Sequence, residues 1–500
     1  MNSSNNIIFL FELLLIYSNL DNLKERTISG IIWSFFDSFS SRGIQLVVGI
    51  ILARILTPND FGIIGLTAIF ISLSKSFTDS GLTSALIRKK VCTDRDYSTV
   101  FIFNFVIGVF LYLLLLFSAG SISLYFDEPQ LKSILIVIGF GIIIHAFGSI
   151  QQTLLEKDMK FKKLAKISFL ATLLSGLIAI IMALTGFGIW SLVFLFLGNS
   201  GFHTLLLWFS SKWMPSLLFD KLAFKELFGF GRNLLFSSLI ASIYNNSFRL
   251  IIGKNFSIDQ LGFFDRANRF QILISENFGS IINRVSFPSL SKIEDKVRLK
   301  NALQLLVKNT MFITFLAMFG LAAVAKPFIL VLIGVKWLPS VELLQLLVFA
   351  GVLYPIHVIN INLLKVLGRS DLILKLEFIK KAIAIPMLIV AIYIGINAMI
   401  ISMIILSFLE LFINGYWTSK FINYSVKEQL MDILPSFLLA SVMGVLVYSI
   451  SFYVGSNNLL TLITQIFVGV LFVVGYGEFF KLNTYFNLKN IIVKKLKRNE

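Results

Sequence analysis

The chain has 500 residues, of which 57% are hydrophobic and 14% charged, with 51 phenylalanines and a formal net charge of +17. That apolar load exceeds what the core of a soluble domain of this length requires, so lipid must be the solvent for much of the surface. The basic residues sit in short clusters between apolar stretches, which argues for membrane topology and against nucleic acid; the lone Cys92 excludes an internal disulfide, and His145, His203 and His357 lack metal-ligand spacing.

Residues 7–20 (IIFLFELLLIYSNL) are apolar but short for a bilayer and interrupted by Glu12. With no basic n-region or cleavage site, residues 1–22 read as an interfacial extension, and the organised sequence starts near Leu23. Apolar windows of about 20 residues then give about fourteen spans. Six lie near 28–52, 62–87, 99–118, 131–154, 164–184 and 187–209, and six more near 227–252, 262–287, 302–324, 341–366, 371–394 and 396–419. The last two lie near 433–453 and 459–480. With the amino terminus inside, about 29 of the 44 basic residues fall in cytoplasmic segments, among them Arg88-Lys89-Lys90, Lys157 to Lys166 and Lys494 to Arg498. About five, Arg54, Lys132, Lys254, Lys326 and Lys336, fall outside. Both termini are therefore expected in the cytoplasm, and no outer loop is long enough to fold as a domain.

A shift of 200 positions aligns Ala53-Arg54-Ile55-Leu56-Thr57-Pro58-Asn59-Asp60-Phe61-Gly62 with Gly253-Lys254-Asn255-Phe256-Ser257-Ile258-Asp259-Gln260-Leu261-Gly262. Both stretches read as corners between spans. Thr57 to Asp60 has the chemistry of a turn and helix cap, and Gly62 permits close packing. The repeat unit is six spans, an even number, so the copies run the same way through the membrane. The expected fold is an all-α polytopic membrane protein of two pseudo-symmetric six-helix bundles. The first bundle covers 23–210 and the second 211–420; two further helices follow at 421–482, then a basic tail at 483–500.

Several spans carry a wet side. In the eighth, Asp265, Arg266, Arg269, Glu276, Asn277, Ser280, Asn283 and Arg284 share an arc of about 120°. Each charge facing lipid would cost at least about 2.5–3.5 kcal/mol, so this stripe must face water or polar protein. The seventh span adds Arg232, Asn246 and Arg249; the first adds Ser34, Asp37, Ser38, Ser41 and Gln45 with Arg42 at the margin. Lys75 and Asp79 stand at i, i+4, as self-neutralisation or function would both require. His145 reads as a satisfied structural histidine, and Glu410 and His357 as isolated polar groups without a nameable partner. Arginine outnumbers acid in the candidate cavity, and its planar fork suits a pyrophosphate better than a drug cation. The candidate ligands are Arg42, Arg249, Arg266, Arg269, Asn277 and Arg284, while Asp37, Asp79, Asp265 and Glu276 are candidates for H⁺ or Na⁺ coupling. No metal or organic cofactor is expected.

Leu52-Ala53-Arg54-Ile55-Leu56-Thr57-Pro58-Asn59-Asp60-Phe61-Gly62, with Asp79-Ser80-Gly81-Leu82-Thr83-Ser84-Ala85-Leu86-Ile87 after it, resembles the amino-terminal signature of Wzx-type flippases for O-antigen, capsule or exopolysaccharide units. These belong to the superfamily that also holds multidrug exporters and the lipid II flippase. The resemblance covers nearly the whole chain from about residue 23. It implies a V-shaped pair of bundles, alternating access, a cationic lumen and an undecaprenyl-pyrophosphate-linked oligosaccharide as cargo in the bacterial cytoplasmic membrane. It implies no catalysis; the partners are the lipid-linked oligosaccharide, membrane lipids and the polysaccharide polymerase machinery. Two rivals are weighed on the residues. A cation-coupled multidrug exporter of the same fold would want acids and aromatics in place of arginine. A membrane polymerase would want a large outer loop or a carboxylate-rich nucleotide-sugar site, and would have no use for the repeat.

Overall fold

The computed structural model describes residues 40–489, apart from positions 80, 90, 212, 217, 291–292, 294, 455–456, 483 and 488. The expected extension at 1–22, Asp37 and most of the basic tail lie outside these residues. Every regular element described is helical. Residues 40–55 form the described part of α1. There follow α2 (Pro58–Asp79), α3 (Leu82–Arg88), α4 (Asp94–Tyr125), α5 (Pro129–Lys157), α6 (Phe161–Leu184), α7 (Trp190–Ser210) and α8 (Lys221–Asn255). The chain continues with α9 (Ile258–Leu290), α10 (Lys296–Leu332), α11 (Ser340–Gly351), α12 (Tyr354–Val366), α13 (Ser370–Ile394), α14 (Ile396–Ile422), α15 (Val426–Ser449) and α16 (Asn458–Phe479).

Ten described segments are long and apolar enough to cross a bilayer, α11 and α12 together making one of them. Their outward faces carry large apolar side chains such as Phe117, 81% exposed, and Phe209, 87% exposed, which only lipid can cover without penalty. The helices α8, α9 and α13 are as long but are not among the ten; they carry Arg249, the α9 stripe and the Lys380-Lys381 pair. The chain belongs in the membrane as an all-α multi-pass protein.

Helix ends follow local chemistry. Thr57 N and Oγ1 donate to Asp60 Oδ2 at 2.8 and 2.7 Å, and Asp60 N donates back to Thr57 Oγ1 at 3.3 Å, so the residues expected to cap α2 do so. The same reciprocal box opens α4 through Thr93 and Asp96 and α15 through Ser425 and Glu428. Each such cap contributes about 1 kcal/mol. The two corners 200 residues apart share a backbone pattern: helix, a bend at Leu56 or Phe256, one irregular residue, then helix again.

The described contacts divide the chain into two compact units, Met1–Ile258 and Asp259–Glu500. In the first, α4 pairs with α5, α6 with α7, and α5 also with α7. The sequence repeat assigns α8 to the second bundle; in the structure it packs along α2, α3 and α4 of the first unit. Its seam with α2 is antiparallel and built from small residues. A Cβ on Gly62 would lie 2.1 Å from the Ile258 carbonyl, and one on Gly81 would lie 2.4 Å from that of Gly231. Between these points Ser72 Oγ accepts from Asn246 Nδ2 at 2.9 Å, and the hydroxyls of Ser76 and Ser242 meet at 3.0 Å. Close backbone approach joined by hydroxyl and amide bonds is how helices associate where lipid offers no hydrophobic drive. In the second unit α10 packs on α11, α15 and α16, and α14 on α11 and α13.

Candidate functional site

Inside the first unit is a cavity of about 390 Å³, built from polar stripes on five helices. From α1 come Ser41, Arg42 and Gln45, and from α2 Lys75. From α5 come His145, Gly148 and Gln152, spaced i, i+3, i+7 on one face, and from α6 Ser168 and Thr172, one turn apart. Asn199, Ser200, His203 and Thr204 of α7 complete the wall with Leu207. Arg42 and Lys75 bring two cations, and none of these described lining residues is acidic.

The wall is braced by its own side chains. Asn199 Nδ2 donates to Thr172 Oγ1 at 3.1 Å, tying α7 to α6. Thr204 Oγ1 donates to the Ile144 carbonyl at 3.1 Å, tying α7 to α5, and Gly148 permits that approach because a Cβ there would lie 2.6 Å from Thr204 Oγ1. Gln152 Nε2 donates to Glu156 Oε1 at 2.8 Å. Lys75 Nζ stands 5.8 Å from the centroid of the Phe196 ring, a cation–π distance. His145 Nδ1 is buried and has no hydrogen-bond partner among the described residues. The expectation of a satisfied structural histidine therefore does not describe it. A buried imidazole nitrogen left without a partner is costly unless something enters the cavity to meet it.

The chamber lies toward one end of the unit. Lys75, Gln152 and Thr204 fall within about two turns of the carboxyl ends of α2, α5 and α7, and Ser168 within about two turns of the amino end of α6. The Lys157–Lys166 cluster joins α5 to α6 at the same end.

Of the ten residues expected to form the site, the structure puts Arg42 in this chamber. Arg249 is on α8, where its Nη1 donates to Asn246 Oδ1 at 3.2 Å, extending the polar chain that reaches Ser72. Arg266 is buried in the second unit, with Nη2 3.9 Å from Asp265 Oδ2; Arg269, one turn on, is exposed. Glu276, Asn277 and Arg284 are on α9 and Asp79 closes α2, but their side chains lie outside the described residues, as does Asp37 altogether. Sequence reasoning left Lys75 open between self-neutralisation and function, read His145 as structural, and did not single out His203, Asn199 or Gln152 as lining residues. The signal was present as polar side chains at helical spacing on otherwise apolar spans.

A sequence profile of the polysaccharide biosynthesis protein family matches residues 51–342. The chain belongs to that family. Curated relatives agree along most of its length: the teichuronic acid biosynthesis protein TuaB of Bacillus subtilis is 25% identical over 86% of this chain and 90% of its own. The lipopolysaccharide biosynthesis protein WzxC of Escherichia coli is 25% identical over 74% and 76%, and the succinoglycan biosynthesis transport protein ExoT of Rhizobium meliloti is 28% identical over 65% and 66%. In fold the chain is similar to the lipid II flippase MurJ in its inward closed conformation, with a TM-score of 0.73 at 17% identity over 90% of this chain and 99% of that one. A multidrug resistance transporter of the MATE family has the same fold at a TM-score of 0.59 and 15% identity, over 77% and 95%. The resemblance read from Leu52–Gly62 and Asp79–Ile87 therefore holds at the level of this family, and the fold is that of the lipid II flippase and of the MATE transporter.

Proposed function

We propose that this protein is a flippase that moves undecaprenyl-pyrophosphate-linked oligosaccharide repeat units across the cytoplasmic membrane by alternating access, and that the chamber of the first unit receives the pyrophosphate and first sugars. The observation that carries the proposal is the chamber's wall: Arg42 and Lys75 among hydroxyls, amides and imidazoles, with no acid among the described lining residues. A pyrophosphate diester asks for cations and hydrogen-bond donors, and sugar hydroxyls ask for groups that both donate and accept. The same wall disfavours a cationic drug, which would meet like charge. The prenyl chain stays in the bilayer while the headgroup uses the wet path.

Fourteen spans with both termini inside put the chamber in the cytoplasmic half, beside the basic loops, where newly built units are loaded. Arg249, Arg266, Arg269, Asn277 and Arg284 are the further ligands proposed for the headgroup, with α15 and α16 outside the repeat. Delivered units feed a polymerase on the far side. An anionic headgroup moving outward already runs down an inside-negative potential, by about 2.3 kcal/mol per charge per 100 mV. Exchange for H⁺ or Na⁺ at Asp37, Asp79, Asp265 or Glu276 would add to that drive.

Purified protein in liposomes carrying a fluorescent prenyl-pyrophosphate oligosaccharide in one leaflet should make the probe accessible to a quencher from the other side. Uptake of a cationic dye under an ion gradient, with the lipid probe staying put, would instead favour the multidrug reading.

A further inference from the structure

His145 and His203 share the chamber with Arg42 and Lys75, and the transport reading above uses them only as polar groups of the wall. We infer that these two imidazoles form a proton-binding site that fills when an anionic headgroup occupies the chamber, so that cargo binding and proton uptake are one event. The inference rests on the reading that the chamber takes an anion.

The groups facing His145 can be named element by element. Lys75 comes from α2 and His203 from α7, and Arg42 of α1 is on the same wall. The neighbouring α6 contributes Ser168 and Thr172, which carry no charge, and α4, packed along α5, has no charged residue or histidine from Ser98 to Tyr125. Asp79 follows Lys75 by one turn, with its side chain outside the described residues. In the empty chamber a proton on either imidazole is a further positive charge beside two cations, in a space whose low dielectric magnifies the repulsion. A bound pyrophosphate reverses that sign, since its negative charge attracts the added proton and its oxygens accept the bond that a protonated imidazole offers at both nitrogens. The imidazole of His145 lines the chamber, and its buried Nδ1 has no hydrogen-bond partner among the described residues. Histidine is the residue type whose charge ordinarily changes near neutrality, so the two imidazoles are the lining groups suited to couple binding to protons.

Linkage fixes the sign. The occupied chamber holds more protons than the empty one, so affinity rises as pH falls, by up to about tenfold per pH unit for each proton taken up. The rise ends once the empty chamber is itself protonated.

The test is calorimetry on the full chain with a short-chain prenyl-pyrophosphate monosaccharide, whose pyrophosphate diester keeps its charge throughout the range. Titrations in two buffers of different ionisation enthalpy count the protons directly. Between about pH 8 and about pH 6, wild-type protein should take up protons on binding and bind more tightly as pH falls, and a His145→Gln, His203→Gln double variant should lose that slope. Binding by wild type with no proton uptake overturns this inference and leaves the anion reading standing. No binding of the probe at any pH overturns the anion reading and this inference with it. A double variant that keeps the full proton count removes the site from these histidines. Wild-type proton counting needs no substitution, so a variant that fails to fold does not decide the matter.

Discussion

Replacing Lys75 by Ala is expected to slow flipping of a pyrophosphate-linked lipid roughly ten- to a hundredfold, the loss that follows from removing one charge-assisted hydrogen bond of about 1.5–3 kcal/mol. Lys75 lines the chamber together with the α5 and α7 stripes, and Arg42 is the other basic side chain among the described lining residues apart from the histidines. Arg42→Ala should cost a similar factor. Arg42→Lys should recover part of the rate, because the charge returns without the planar fork that grips two oxygens. Lys75→Glu should be worse than Lys75→Ala, since it sets like charge against the headgroup. Asn199→Ala should cost less than either cation, because a neutral bond contributes about 0.5–1.5 kcal/mol. Initial rates in proteoliposomes at matched protein content, with thermal stability measured alongside, separate these effects from misfolding. A Lys75→Glu variant that flips at the wild-type rate would remove the chamber from the mechanism.

Gly81→Ala is expected to be the most destabilising single-methyl change in the first unit. Gly81 stands at φ +67°, ahead of α3, and a Cβ there would lie 2.4 Å from the Gly231 carbonyl on α8. The left-handed conformation costs a non-glycine residue about 1–2 kcal/mol, and overpacking against a fixed carbonyl adds about 1–3 kcal/mol. Gly62→Ala has no such backbone cost but meets the Ile258 carbonyl at 2.1 Å. Gly201→Ala is the control, because open space surrounds that helical glycine and alanine is the better helix former. The fraction of protein still monodisperse after heating should fall in the order Gly201→Ala, Gly62→Ala, Gly81→Ala. Equal stability of Gly81→Ala and Gly201→Ala would contradict the close α2–α8 seam.

Local chemistry made much of this fold legible from sequence. Thr57 and Asp60 cap α2 because their spacing alone allows the reciprocal bonds, and Gly62 was readable because a glycine in a helix so near a corner suggests close approach. Apolar windows found the ten described spans because lipid enforces length and composition together. The chamber was less legible, because charge was the signal followed and four of its five helices contribute mainly neutral polar groups. Lys75 looked sufficient with Asp79 one turn away, yet it also faces residues on α5 and α7 that lie far along the chain. The same reason hid the surroundings of His357 and Glu410. His357 Nε2 meets Ser407 Oγ at 3.2 Å across α12 and α14, and Lys380 and Lys381, both paired with Glu377 on α13, supply the charges near Glu410. Such partners are set by packing between helices, which a single span does not encode.

The most direct measurement is photolabelling of the reconstituted full chain with a prenyl-pyrophosphate sugar that carries a small photoreactive group beside the pyrophosphate. Adducts competed by unlabelled lipid should map to peptides containing Arg42, Lys75, His145 or His203. Competed adducts confined to the outward apolar faces, around Phe117 or Phe209, would contradict a headgroup held in the chamber.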